Sequence, residues 1–425
     1  MIDLQAPTPL LGGLSPRSFM RRHWQKQPLL VRQAWPGVQP PATRSELFAL
    51  AGEEGVEARL VVRQEAPPQS QGRAARGAAG IWRVRHGPFA RGALPPLRRA
   101  GWTLLVQGLD LHVPAAHAML APFRFVPAAR LDDLMTSWAS DGGGVGPHAD
   151  SYDVFLLQVT GRRRWRVAPP GDGAFVEGLP LKILRRFEPV HDWLLEPGDM
   201  LYLPPLWGHD GVAVGGDCMT CSVGFRAPAL PELASEILQR IAEEAGERAA
   251  GSGAWARGSG ARSEPPLYAD PAQPATDAPG AVPAALQRFA ARAVAHAMRD
   301  PLTLPRALGE VLSEPKPQVW FDAGRALSLG VGARLDPRTR MLYDERHIFI
   351  NGDSYRAAGR DARLLRRLAD AGRLGPEDIT RLSDDALRCL QQWAEAGWVR
   401  VDDGALAAAA HRPAHEAQVP KRRKA

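Results

Sequence analysis

Cysteine, lysine and long apolar runs are scarce in this chain of 425 residues. Its three cysteines, Cys218, Cys221 and Cys389, cannot build a disulfide framework, which favours a reducing compartment. No uninterrupted apolar stretch reaches the roughly 18 residues that a membrane span needs. Met1-Ile2-Asp3-Leu4 lacks the basic-then-apolar pattern of a signal peptide. These absences lead to the expectation of a cytoplasmic protein with no membrane partner. Lysine occurs only at 26, 182, 316, 421 and 424, so the positive charge is almost entirely arginine. Lys+Arg 53 against Asp+Glu 46 leaves a net +7, a modest excess that does not by itself argue for nucleic acid. A GC-rich coding sequence accounts for both the arginine and the abundant alanine. What is present is ordinary for a globular protein: 45% hydrophobic and 23% charged residues, which excludes a fibrous or wholly disordered chain. The length suits about two or three domains and a core that needs no staples.

Three stretches punctuate the chain. Residues 66–80 read as a surface loop, and 246–283, rich in Gly, Ala, Pro and Ser, as a flexible linker. The tail 411–425 ends in Lys421-Arg422-Arg423-Lys424 and reads as a disordered basic extension. Ahead of the linker, short runs separated by turn residues (154–159, 164–167, 200–203 and 219–223) predict an antiparallel β barrel. After Pro228 the period changes. Leu233, Ile237 and Ile241 stripe one helix, and Leu286, Phe289, Ala293 and Ala297 another. Further on, Leu364, Leu365 and Leu368 mark a helix that Asp361 is expected to cap and Gly372 to end. A second helix starts at Ser383. Met341-Leu342-Tyr343 and His347-Ile348-Phe349-Ile350 read as strands, with Asn351-Gly352 as a hairpin turn. That combination predicts a winged helix.

The chemistry is concentrated in Gly142-Gly143-Gly144-Val145-Gly146-Pro147-His148-Ala149-Asp150. Residues two apart on a strand share a face, so His148 and Asp150 can converge on one point. His209, after the stiff Pro204-Pro205 turn, is the candidate third ligand. Two imidazoles and one carboxylate make the facial triad of non-haem Fe(II) oxygenases, which leaves positions open for substrate and dioxygen. Alternation through Arg162-Arg163-Arg164-Trp165-Arg166-Val167 turns Arg163, Trp165 and Val167 inward. A buried arginine needs an anion. Either a protein carboxylate or a dicarboxylic cosubstrate such as 2-oxoglutarate, paired through its distal carboxylate, meets that need.

The stretch Gly142 to Val167, the Glu196–Tyr202 segment with its Pro-Pro turn, Ser222 to Pro228 and Phe19 to Leu30 together resemble the JmjC-type 2-oxoglutarate oxygenases. Within them, they are similar to the bacterial ribosomal oxygenases that hydroxylate an arginine of large-subunit ribosomal protein L-sixteen. The resemblance implies an α+β chain in four parts. These are a double-stranded β-helix (cupin, JmjC) domain over 1–228, a helical dimerisation region over 229–305, a winged-helix domain over 306–410 and the tail. It implies a dioxygenase that uses Fe(II), 2-oxoglutarate and dioxygen, with His148, Asp150 and His209 as metal ligands and Arg163 on the cosubstrate. An arginine substrate calls for a carboxylate at the mouth, for which Asp141 fits the family pattern better than Asp153. A homodimer is implied in the same way.

Other features are read as structural. Cys218-Met219-Thr220-Cys221 lies in a strand, where positions three apart face opposite ways and no second pair completes a zinc site. His191-Asp192 diverge as strand neighbours, His347 is a structural histidine, and Trp207 packs. Tyr202 and Ser222 are open between a cosubstrate contact and a core role. Two rival functions stand beside the arginine hydroxylase: a histidyl hydroxylase of another ribosomal protein, and a metal-sensing cupin with a DNA-binding winged helix. The 383–396 helix carries Asp384, Asp385 and Glu395 beside only Arg388, so direct nucleic-acid binding is not expected. Arg363, Arg366 and Arg367 on the preceding helix favour it weakly, and the basic tetrad of the tail reads as solvated.

Overall fold

The computed structural model describes residues 2–64, 81–90, 92–251, 267–327 and 330–402. The 66–80 loop, the linker interior 252–266 and the basic tail lie outside the described residues. The chain divides into two compact units, Met1–Leu233 and Ala234–Ala425.

In the first unit ten strands join one antiparallel sheet: β1 (Leu29–Val31), β2 (Ala58–Gln64), β3 (Ile81–His86), β4 (Trp102–Val106), β5 (Leu131–Ala139), β6 (His148–Ala149), β7 (Asp153–Ala168), β8 (His191–Leu195), β9 (Met200–Leu203) and β10 (Gly208–Phe225). Around them lie α1 (Pro16–Arg22), which starts at a Ser15 cap, and α2 (Arg44–Leu50), which starts at a Thr43–Glu46 capping box. Two short helical turns, α3 (Leu109–His112) and α4 (Pro114–Ala118), follow β4.

The sheet folds over itself because β7 changes neighbours along its length. Its first half pairs with β9 from Val154↔Leu203 to Leu157↔Met200, and its second half with β8 from Arg163↔Leu195 to Val167↔His191. β10 runs beside both halves. The result is the expected double-stranded β-helix. The runs 154–159 and 164–167 are thus one strand. The arginines interrupt its apolar pattern, but backbone pairing continues through Thr160-Gly161 with an irregular register opposite Val214–Met219.

An aromatic cluster of Phe19, Trp24, Phe155 and Tyr202 fixes the N-terminal segment to the barrel, with Phe19 and Tyr202 rings 4.9 Å apart. The Tyr202 hydroxyl donates to Asp153 Oδ1 at 2.7 Å and accepts from the Gln25 N–H at 2.8 Å. Asp153 also accepts from Gln25 Nε2 at 3.0 Å and Arg130 Nη2 at 3.1 Å. Burial and the Asp153 carboxylate push the Tyr202 phenol up. Tyr202 and Asp153 are therefore structural, each fully satisfied without a ligand.

The second unit opens on helices. α5 (Leu230–Gly251) begins within the first unit and buries Ile237 and Ile241. It continues past 246, so the start of the expected linker is helical; 267–283 holds no helix or strand. α6 (Ala284–Ala297) carries the predicted stripe but buries none of it. α7 (Thr303–Ser313) spans 305/306, so the expected domain boundary there cuts through a helix; Gly309 on α7 abuts the Phe349 ring.

The winged-helix elements are β11 (Gly332–Leu335), β12 (Met341–Tyr343), β13 (His347–Ile350), β14 (Asp353–Arg356), α8 (Gly359–Ala371), β15 (Arg373–Leu374), α9 (Pro376–Ile379), α10 (Asp384–Glu395) and β16 (Val399–Asp402). Asn351 and Gly352 have φ of 49° and 92°, both left-handed as a two-residue hairpin between β13 and β14 requires. Leu365, Leu368, Leu390, Trp393 and Val399 form the core. Gly372 ends α8 at φ 72°, but its N-cap is Ala358 rather than Asp361. The Asp361 carboxylate instead accepts from the N–H and hydroxyl of Ser383, the residue that caps α10. His347 is buried with Nδ1 3.1 Å from Asp344.

Asp336 ties the ends of this sheet together. It is 1% exposed and accepts from Arg338 Nε at 2.8 Å and Arg400 Nη2 at 2.5 Å. Burial alone would raise its carboxyl, but the Arg338 side-chain and backbone donors and the two positive charges hold it below the ordinary range. A carboxyl depressed in the folded state adds stability above its unfolded value near 4, and that stability is lost as pH falls through the folded value. Asp336→Asn should destabilise this unit by about 1–3 kcal/mol at pH 7. The gap from wild type should shrink below about pH 4. Hydrogen exchange of the β11 and β16 amides reads it locally; a gap unchanged between pH 7 and 3.5 would refute the ionic role.

Candidate active site

β6 lies on β10 so that His148 and His209 are direct cross-strand partners, with Ala149 opposite Gly208. Their rings stand 4.2 Å apart. Asp150 follows on the same face, with carboxylate oxygens 4.0 Å from His148 Nε2 and 3.5 Å from His209 Nε2. One donor atom from each of the three lies within 4.8 Å of the others.

Both imidazoles are oriented by backbone. His148 Nδ1 sits 2.8 Å from the Gly146 carbonyl and His209 Nδ1 2.9 Å from the Trp207 carbonyl. A carbonyl only accepts, so each Nδ1 carries the proton and each Nε2 is directed to the shared point. Burial, then the neighbouring His209, pulls His148 below its ordinary value. Burial acts on His209 in the same direction, but the hydrogen bond and charge of Asp150 outweigh it and leave His209 raised. Burial would lift Asp150; the His209 hydrogen bond and the two imidazoles instead hold it at about 2. The three thus present a carboxylate held ionised and two imidazoles aimed by the backbone. That donor set suits a divalent transition metal with open positions on one side.

The glycines of the approach let this happen. Residues 142–144 run along β10: Gly142 N–H donates to the Ala213 carbonyl at 3.0 Å, and Ala213 N–H to the Gly143 carbonyl at 2.9 Å. A Cβ on Gly144 would stand 2.5 Å from the Gly211 carbonyl oxygen, a backbone atom with no room to give. Gly144→Ala should cost about 1–3 kcal/mol and separate β6 from β10. Denaturant titration checks the stability; an unchanged midpoint would remove the need for glycine there.

Arg163 lies further along the same interior, opposite Ala213 on β10 and Leu195 on β8. Residues 162, 164 and 166 are exposed, whereas Arg163, Trp165 and Val167 are buried, as strand alternation dictates. Arg164 and Arg166 pair with Asp192 and Asp210. Arg163 is 5% exposed, its Nε and Nη2 have no hydrogen-bond partner, and its guanidinium lies 5.8 Å from the Trp165 ring. A buried guanidinium with two N–H groups unmet is costly and fits an anion that the described residues do not supply. Trp165 in turn stands 5.8 Å from His209, so one wall joins the triad to the arginine.

Asp141 lies beside the Gly215 end of β10. Its carboxylate accepts from the Gly215 N–H at 2.8 Å, and Gly215 lies six residues along β10 from His209, roughly 20 Å in an extended strand. Near Tyr152 lie Asp132, which pairs with Arg226, and Asp133, which accepts from the Gly108 N–H. With burial and Asp150, their charges push up the Tyr152 phenol. Sequence reasoning missed Ile183, Leu184 and Phe187, which pack against Gly146 and Gly208. Only their apolar character in an otherwise polar loop hinted at burial. Cys218 and Cys221 are buried and free, Cys221 beside Thr136 at 3.4 Å, with burial raising its thiol to about 12.

Residues 118–233 match the JmjC domain model, and residues 285–400 the ROXA-like winged helix. The Ribosomal protein uL16 3-hydroxylase of Escherichia coli is 42% identical over 236 residues, 52% of this chain and 56% of that protein. A Probable ribosomal oxygenase of Haemophilus influenzae is 36% identical over 228 residues, 53% of this chain and 52% of that protein. The sequence match thus spans about half the length of these curated relatives. The crystal structure of E. coli YcfD superposes with a TM-score of 0.73 at 28% identity, covering 91% of this chain and 98% of that one. Another YcfD structure, in complex with cobalt and 2-oxoglutarate, gives 0.70 at 28% identity over 92% and 98%.

Proposed function

This chain belongs to the JmjC-type ribosomal oxygenases, and on that premise we propose that it is an Fe(II)- and 2-oxoglutarate-dependent dioxygenase that hydroxylates an arginine side chain of ribosomal protein uL16. The observation that carries this reading is a buried arginine with unmet N–H groups beside a His-Asp-His set with both Nε2 atoms directed inward. His148, Asp150 and His209 would hold the iron. With 2-oxoglutarate and dioxygen, that metal supplies the oxidising power to insert oxygen into an unactivated C–H bond.

The chain's own part is positional. Arg163 orients the cosubstrate by bidentate pairing with its distal carboxylate. Trp165, Val167 and Leu195 line the path between the two ends and keep water from it. Asp141 remains the candidate carboxylate for a guanidinium: Asp132 is taken by Arg226, and the buried Asp133 accepts from the Gly108 N–H. A second copy of the chain would cover the exposed Leu238 and Val294 of α5 and α6, in keeping with a homodimer.

The DNA-binding sensor draws less support. Arg366 donates to the Asp344 and Glu345 carbonyls, and Arg367 pairs with Asp378, so two of the four arginines on α8 are engaged within their own domain. The test is the mass of ribosomal proteins from a strain lacking the gene, before and after incubation with the purified protein, Fe(II) and 2-oxoglutarate. One added oxygen on an arginine of uL16, absent with His148→Ala, is the expected result. Succinate formation with every ribosomal protein unmodified would overturn the substrate; bound iron with no turnover would favour the sensor.

A further inference from the structure

We infer that Leu206 is a substrate-contact residue on the lip of this site, an apolar surface for the methylene stem of the side chain presented to the metal; the inference rests on the protein-hydroxylase function proposed above. Leu206 has φ 67°, in the left-handed region that costs a residue bearing a Cβ about 1–2 kcal/mol. Among the described residues, four others besides glycine have positive φ, and each is polar and hydrogen-bonded through its side chain. Gln25 donates to Asp153, Gln33 to the Pro197 carbonyl, Asp217 accepts from Trp138 and Arg44, and Asn351 accepts from the Arg340 N–H. Leu206 is the one apolar member of that set. Its side chain makes no hydrogen bond and is 59% exposed, so burial offsets little of the backbone cost.

The position of this strain points to its use. The Leu206 N–H donates to the Asp150 carbonyl at 2.7 Å, which joins it to the backbone of one triad residue. It immediately precedes Trp207, whose carbonyl orients His209. The turn thus needs a left-handed residue, which glycine or asparagine would supply more cheaply. A leucine adds only an exposed branched side chain at the rim. An aliphatic stem laid against it would bury both apolar surfaces, and a guanidinium beyond the stem would remain in water or meet a carboxylate.

The test is steady-state hydroxylation of a peptide spanning the target arginine of uL16, with thermal melting of the same proteins. Leu206→Asn tolerates the left-handed backbone but loses the apolar surface. It should raise the peptide KM by about fivefold or more, the worth of a methylene or so of contact, with kcat changed less than about twofold. Its melting temperature should be equal to wild type or higher, a result that a structural role would not give. Leu206→Met, apolar and flexible, should restore most of the KM. An unchanged KM in Leu206→Asn, or a lowered melting temperature, overturns the assignment. If wild type itself leaves the peptide and intact uL16 unmodified while forming succinate, the proposed substrate fails and this assignment with it.

Discussion

Replacing Arg163 by Met should raise the KM for 2-oxoglutarate between about 30-fold and several thousandfold. That range corresponds to the roughly 2–5 kcal/mol lost when one partner of a buried charge pair is truncated. The same substitution should leave the cosubstrate-free protein as stable as wild type or more so. Without an anion, Arg163 is a buried cation with Nε and Nη2 unpaired, and an apolar side chain of similar length removes that penalty. The two signs together separate a cosubstrate clamp from a structural arginine, whose loss would lower stability in every state. Arg163→Lys should fall between, since it keeps the charge but loses the planar fork. Succinate formation against 2-oxoglutarate concentration, with melting curves ± 2-oxoglutarate, measures both effects. A normal KM, or a protein destabilised without ligand, would rule out the clamp.

His209→Ala should abolish metal-dependent stabilisation and reduce 2-oxoglutarate turnover by more than about a hundredfold. Loss of groups that merely orient a ligand typically costs 10–100-fold, and His209 is a candidate ligand itself. Wild type should gain about 2.7 kcal/mol at a metal concentration a hundred times its Kd, and His209→Ala should gain almost nothing. Co(II) titration followed by its visible absorption gives a readout independent of turnover. The variant also removes a partner of Asp150, whose carboxyl His209 helps to hold at about 2, so that group should move up toward the carboxylate range. Undiminished Co(II) affinity in His209→Ala would remove this residue from the metal set.

Local pattern and tertiary pairing contributed differently to the site. The HxD alternation, the inward side of the 162–167 arginine run and the Asn351-Gly352 turn depend on two-residue periodicity and on backbone sterics within a few residues. All of these were legible in the order of residues. The same is true of Gly372 as a helix stop. Asp361 misled because its neighbours look like a cap, whereas its carboxylate is taken by Ser383, distant in sequence.

The sequence alone therefore determined the types of donor and the faces they share, because strand periodicity sets these residue by residue. Only the tertiary structure decided that His148 stands across from His209, that Arg163 has Nε and Nη2 unpaired among the described residues and that Leu206 takes a left-handed backbone beside Asp150. Each of these depends on register and on competition among distant groups, and no local pattern encodes either.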